Sequence, residues 1–113
     1  MKQIRLERTD EMLKKLANYG VTLTGTATIQ HIRDKHTAKG NTFRTICLID
    51  IRFVFNNKEY VLDHTWLQQQ DYPAYFRRVA KENKEYRFDF VFYPYRHKVA
   101  DNKCGITITK IYK

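Results

Sequence analysis

Hydrophobic positions in this chain recur mostly at every second residue, and they are densest from Phe43 to Trp66, FRTICLIDIRFVFNNKEYVLDHTW. Phe43 to Phe55 is rich in β-branched and aromatic residues. It is apolar at nearly every position near its middle (Ile46, Cys47, Leu48, Ile49, Ile51, Phe53, Val54, Phe55), which predicts a strand covered on both faces for part of its length. Asn56 and Asn57 then supply the residues best able to take positive φ in a tight turn. The second arm alternates, with Tyr60, Leu62, His64 and Trp66 expected on one face. The stretch reads as a long β-hairpin, the ribbon around which the other elements are placed.

Upstream, residues 9 to 20 predict a helix. Thr9 is its expected cap, Asp10 and Glu11 favour its N-terminal end, and Gly20 is its stop; Met12, Leu13, Leu16 and Tyr19 make a narrow apolar stripe suited to plugging the end of a β-structure. From Val21 the period becomes two, with Gly25 in the middle of a strand that is expected to bend there. Arg33 to Thr42 has no periodicity and is expected to be a loop. After Trp66, a helix is expected from Tyr72 to about Glu82, capped by Asp71, with Tyr72, Tyr75, Phe76 and Val79 on one face. Glu85 to Tyr95 alternates again, Tyr86, Phe88, Phe90 and Phe92 against Arg87, Asp89, Val91, Tyr93 and Tyr95, and Pro94 marks an edge or an end. Arg96 to Lys103 is a second loop, and Gly105 to Tyr112 a last strand.

At 113 residues the chain has room for one core. A hydrophobic fraction of 42% with 14% aromatic residues excludes a disordered composition. Lys and Arg outnumber Asp and Glu by 21 to 12, a formal charge of +9, which favours polyanionic partners. Cys47 and Cys104 have no CxxC spacing and are expected as free thiols in a reducing compartment. No apolar run reaches bilayer length and the charged N-terminus does not resemble a signal peptide, so a cytoplasmic protein without a membrane partner is expected.

The order strand, loop, strand, tight hairpin, strand, helix, strand, loop, strand, with a glycine in the first strand and a helix between the third and fourth, resembles the OB-fold, a five-stranded Greek-key barrel. The resemblance covers roughly residues 21 to 113 and rests on order and spacing, without a diagnostic motif. It implies a mainly β, OB-like barrel domain over 21–113, preceded by an N-terminal helical extension over 1–20. It also implies a binding face on the second and third strands, rimmed by the first-to-second and fourth-to-fifth loops. Here those loops are the basic ones: Arg33, Lys35, Lys39 and the adjacent Arg44 against Asp34, and Arg96, Lys98 and Lys103 against Asp101.

Single-strand binding needs cations along the phosphate path and flat side chains for unpaired bases. With the loop cations, Arg52 is expected outward, and Tyr60, His64, Trp66, Tyr93 and Tyr95 are the stacking candidates. For Tyr60 and Trp66 a core position fits the pattern as well as an exposed one. Phe53, Phe55, Phe88, Phe90 and Phe92 are expected in the core. The specific expectation is that Arg44, Arg52, Tyr60 and His64 share one exposed face and floor the groove.

His31, His36, His64 and His97 lack metal-ligand spacing, so neither a metal nor another cofactor is expected. The leading expectation is a non-catalytic binder of single-stranded nucleic acid, DNA before RNA, acting in replication, recombination or repair. The alternative is an OB-like accessory subunit or inhibitor that contacts a polymerase, primase, helicase or other nucleic-acid enzyme. A third reading, a metal-dependent nuclease, would gather Asp50, Asp63 and Asp89.

Overall fold

In the computed structural model, which describes residues 3–7, 11–36, 38–94 and 104–112, the period-two segments pair into one curled sheet. In chain order the elements are β1 (Gln3–Leu6), α1 (Glu11–Tyr19), β2 (Leu23–His36), β3 (Thr42–Phe55), β4 (Lys58–Leu67), a 3-10 turn (Gln69–Asp71), α2 (Phe76–Val79), β5 (Glu85–Pro94) and β6 (Cys104–Tyr112). The strands lie in the order β1-β4-β3-β2-β5-β6. β1 runs parallel to β4 and all other neighbours are antiparallel. The sheet curls far enough for β6 to approach β4, a half-barrel around an aromatic core.

The β3–β4 hairpin turns at Asn56 and Asn57, with φ of 52° and 63°. Positive φ at both central residues suits the right-handed twist of the two arms. α1 ends at Gly20, where φ is 63°; the Gly20 and Val21 amides donate to the Ala17 and Leu16 carbonyls, both at 3.2 Å. These bonds satisfy carbonyls that the last helical turn leaves open. Leu13 and Leu16 are spent inside the core, and Tyr19, assigned to the same stripe, is 81% exposed. The expected Thr9 cap lies outside the described residues.

Gly25 sits where β2 crosses close to β3. A Cβ there would run into the Arg52 carbonyl oxygen and press on the Phe90 ring, so only glycine fits. Register shifts follow on β2 between Thr26 and Thr28 and between Ile29 and His31, the irregularities that let the strand curl.

Four expectations are corrected. First, residues 33 to 36 are strand, and the β2–β3 ribbon extends to the His36–Thr42 pair. Cross-strand polar pairs hold it where apolar periodicity stops: Arg44 Nε to Asp34 at 3.0 Å and Thr42 Oγ1 to His36 Nδ1 at 3.0 Å.

Second, the helix expected over Tyr72 to Glu82 is a 3-10 turn followed by the single turn of α2. Tyr72 is extended, at φ −147° and ψ 154°, and its hydroxyl donates to the Arg44 carbonyl at 2.9 Å. The Tyr86 hydroxyl ends α2 by donating to the Val79 carbonyl at 2.8 Å while accepting the Lys81 amide at 3.1 Å.

Third, Asp71 caps no long helix. It is 2% exposed, and its carboxylate accepts the Gln68 amide at 2.9 Å, the Tyr93 hydroxyl at 3.0 Å and the Thr107 hydroxyl at 3.5 Å. Burial pushes its pKa up, and these three donors offset part of the shift. A carboxyl raised in the fold stabilises it fully below the unfolded pKa, about 4, and that contribution is lost as pH rises through the folded value. The stability of the native chain minus that of Asp71→Asn is therefore expected to fall as pH is raised above about 4. Thermal melts across that range check it; a difference that rises with pH would mean that the donors outweigh burial.

The fourth correction concerns facing. On β3, Ile46 and Leu48 point into the core, and so do Ile51 and Phe53. The even-to-odd change falls at Asp50, whose φ of 52° breaks the alternation. On β4, Tyr60 and Leu62 face the core, but so does Leu67. Because Ile51 pairs with Leu62 and Ile46 with Leu67, both arms reverse at the same level of the ribbon.

Candidate polyanion-binding face

The reversal decides where the expected site residues lie. Arg44 and Arg52 are both even-numbered, yet they stand on opposite faces. Arg44 shares its facing with Ile46, whereas Arg52 lies opposite Thr26 and Val61 on the outer face of the sheet. Tyr60 faces the core at 8% exposure and stacks on Phe53, with ring centroids 5.6 Å apart and an interplanar angle of 23°. His64, two residues after the buried Leu62, is exposed, and its Nδ1 lies 3.2 Å from Asp63. The expectation that Arg44, Arg52, Tyr60 and His64 share one exposed face is therefore not met; only Arg52 and His64 do.

Trp66, half-buried, lies opposite Cys47 on the same outer face, and Cys47 in turn pairs with His31. Arg33 and Lys35 continue that face along the ribbon and are exposed, and Lys39 is exposed at the tip. Arg44, on the other side, is engaged by Asp34; the contact holds the Asp34 carboxyl below its usual range and raises the Arg44 guanidinium. Tyr93 is a strut: its hydroxyl reaches the buried Asp71 and its ring covers Gly105, where a Cβ would meet the ring at 2.6 Å. Tyr95, Arg96, Lys98 and Lys103 lie outside the described residues.

The register brings together a set that the sequence did not single out. Arg5 pairs with Val61, Val61 with Arg52, Arg52 with Thr26, Thr26 with Arg87 and Arg87 with Tyr112. Paired residues share a face, so three arginines lie in one lateral row across β1, β3 and β5. Alternate strands are about 10 Å apart. Arg5 meets Asp63 at 3.3 Å in an exposed pair. Among the described residues, no carboxylate oxygen lies within 4.0 Å of Arg52 or Arg87. A shallow depression of about 530 Å³ runs between Arg52 and Arg87 over Thr26, with Glu59 and Glu85 also on its lining.

Tyr112 ends the row and is held firmly. The Arg87 guanidinium lies 5.6 Å and the Lys110 ammonium 4.8 Å from its ring centroid. Its hydroxyl donates to both oxygens of Asp89, at 3.0 and 3.1 Å, and Thr24 donates to the same carboxylate at 2.6 Å. Those hydroxyls, Thr24 first, keep the Asp89 carboxyl below its usual range. Asp89 is thus engaged on β5, with β2 between it and the strand of Asp50. Among the described residues no three His, Cys, Asp or Glu side chains converge as a metal site would require.

Arg87 was legible as an outward residue of the alternating Glu85–Tyr95 segment. Arg5 was not, because four residues of β1 give too short a pattern to call for a strand. Among the described residues no helix is long and apolar enough to cross a membrane. No protein-family model, curated protein or solved structure matches this chain.

Proposed function

We propose that the protein is a non-catalytic binder of single-stranded nucleic acid, DNA before RNA, that serves replication, recombination or repair. The observation that carries this reading is the lateral row of Arg5, Arg52 and Arg87 on the outer face. Arg33, Lys35 and Lys39 extend the basic surface along the projecting ribbon, and His64 and Trp66 flank it. Such a face attracts phosphates through its summed field, and its aromatic members offer sequence-tolerant stacking.

An OB-like reading of the half-barrel supports the proposal. β2, β3 and β4 form a meander and β5 returns to lie beside β2, an order that supports a Greek-key reading. The alternative, an accessory subunit or inhibitor that contacts a polymerase, primase, helicase or other nucleic-acid enzyme, would need a docking face other than the apolar stripe of α1. Leu13 and Leu16 of that stripe are buried in the protein's own core.

Fluorescence anisotropy with labelled single-stranded DNA and RNA at two salt concentrations tests the proposal. Binding that weakens steeply with salt and depends little on base sequence is expected, since each neutralised phosphate releases counterions. No binding to either oligonucleotide at low salt would end it.

A further inference from the structure

Beside the arginine row lies a second, deeper concavity of about 700 Å³, in the size range of small-molecule sites. It is bounded by Tyr75 and Val79 from the α2 region and by Lys84, Arg87 and Tyr112 from the β5–β6 side. It shares Thr26, Glu85 and Arg87 with the depression over the row, so the two adjoin.

Three of the large apolar side chains that remain exposed meet here: Tyr75 at 47%, Val79 at 44% and Tyr112 at 36%. Both tyrosine rings are fixed by their hydroxyls. Tyr75 accepts the Ile111 amide at 3.2 Å, and Tyr112 donates to Asp89. Rings already immobilised lose little freedom when a ligand stacks on them. Cations crowd the aromatic walls: Lys84 lies 5.1 Å from the Tyr86 centroid, and Arg87 and Lys110 lie over Tyr112. Glu85 is the one acidic residue on the lining. An apolar peptide would gain nothing from these cations, whereas a nucleotide needs both a flat apolar seat and a positive charge beside it.

We infer that this groove seats one unpaired base of the bound strand, stacked on the Tyr75 and Tyr112 rings, with the adjoining phosphates on Arg87 and Lys84. The inference rests on the single-strand-binding reading proposed above and adds a seat that lies outside the β3–β4 ribbon. The strand then crosses the sheet laterally, from Arg52 over Thr26 to Tyr112.

The test uses a thymidine oligonucleotide carrying one 2-aminopurine, whose fluorescence is quenched by stacking, at low salt. The native chain is expected to bind and quench. Tyr112→Ala is expected to lose about 5- to 150-fold in affinity together with the quench. Val79→Glu, an exposed substitution that places a carboxylate in the groove, is expected to do the same and decides the matter should Tyr112→Ala fail to fold. Arg52→Ala should weaken binding but keep the quench at saturation. If Val79→Glu and Tyr112→Ala bind and quench as the native chain does while Arg52→Ala binds less tightly, the groove is not the seat although the protein binds single strands. If the native chain binds no oligonucleotide, both readings fall together.

Discussion

With Arg52 and Arg87 both changed to alanine, the slope of log K against log salt for oligonucleotide binding is expected to become shallower by about 1.4. Each phosphate neutralised on a single strand contributes about 0.7 to that slope. The two side chains qualify because they stand in register with Thr26 between them and have no carboxylate oxygen within 4.0 Å among the described residues. Arg5 is already paired with Asp63 and so neutralises less phosphate charge, and its removal should change the slope less. Lys15, exposed on α1 and away from the row, is the control, and Lys15→Ala should leave the slope of the native chain. A double variant whose slope equals that of the native chain would remove the row from the binding surface, whatever its affinity.

Replacing Phe90 by alanine is expected to cost about 3 to 5 kcal/mol, the range for a fully buried phenylalanine whose cavity does not collapse. Phe90 has no exposed surface, and its ring meets Phe53 at 5.7 Å and 78°, Phe92 at 5.4 Å and 85°, and Phe88 at 5.4 Å. It also packs closely against Gly25, where a Cβ would press on its ring. Domains of this size have about 5 to 15 kcal/mol in all, so the variant should be near its unfolding limit at room temperature. Urea denaturation measures the loss, and Val54→Ala, at a position 56% exposed, should stay within about 0.5 kcal/mol of the native chain. A loss under about 1 kcal/mol for Phe90→Ala would mean that the core around β5 is loosely packed.

Much of this core was legible in the sequence. Phe88, Phe90 and Phe92 follow strict alternation, and Asn56-Asn57 and Gly20 act through local backbone chemistry that needs no knowledge of the rest of the chain. The facing of the central hairpin was not legible from alternation alone, because the reversal at Asp50 depends on how the sheet curls. Both parities are apolar from Ile46 to Ile49, which hides the set that turns inward. Reading Tyr60 and His64 as partners ignored that shift and placed a core tyrosine in the site. The ribbon from Arg33 to Thr42 was missed for another reason, since its pairing is carried by polar contacts such as Arg44 with Asp34, which leave no hydrophobic period. The short α2 reflects competition from outside the segment: the Tyr86 hydroxyl takes the Val79 carbonyl that a longer helix would use, and the Arg44 carbonyl holds the hydroxyl of an extended Tyr72. Arg5 and Tyr112 became visible as neighbours of Arg52 and Arg87 only through register, a long-range property.

The change of facing at Asp50 also makes residue count more important than residue identity at that point of the hairpin. Deleting Asp50 would restore plain alternation along β3, with Ile46, Leu48, Ile51 and Phe53 on one face, while β4 still reverses between Leu62 and Leu67, so the cross-strand pairs beyond that level would fall out of step by one residue. Point substitutions meet one core on both sides of that boundary, since Ile46, Leu48 and Leu67 are as buried as Ile51 and Leu62. The half that holds Ile51, Phe53, Tyr60 and Leu62 is constrained by volume, while outward positions of the other half, such as His31 and His64, are constrained only by what they touch.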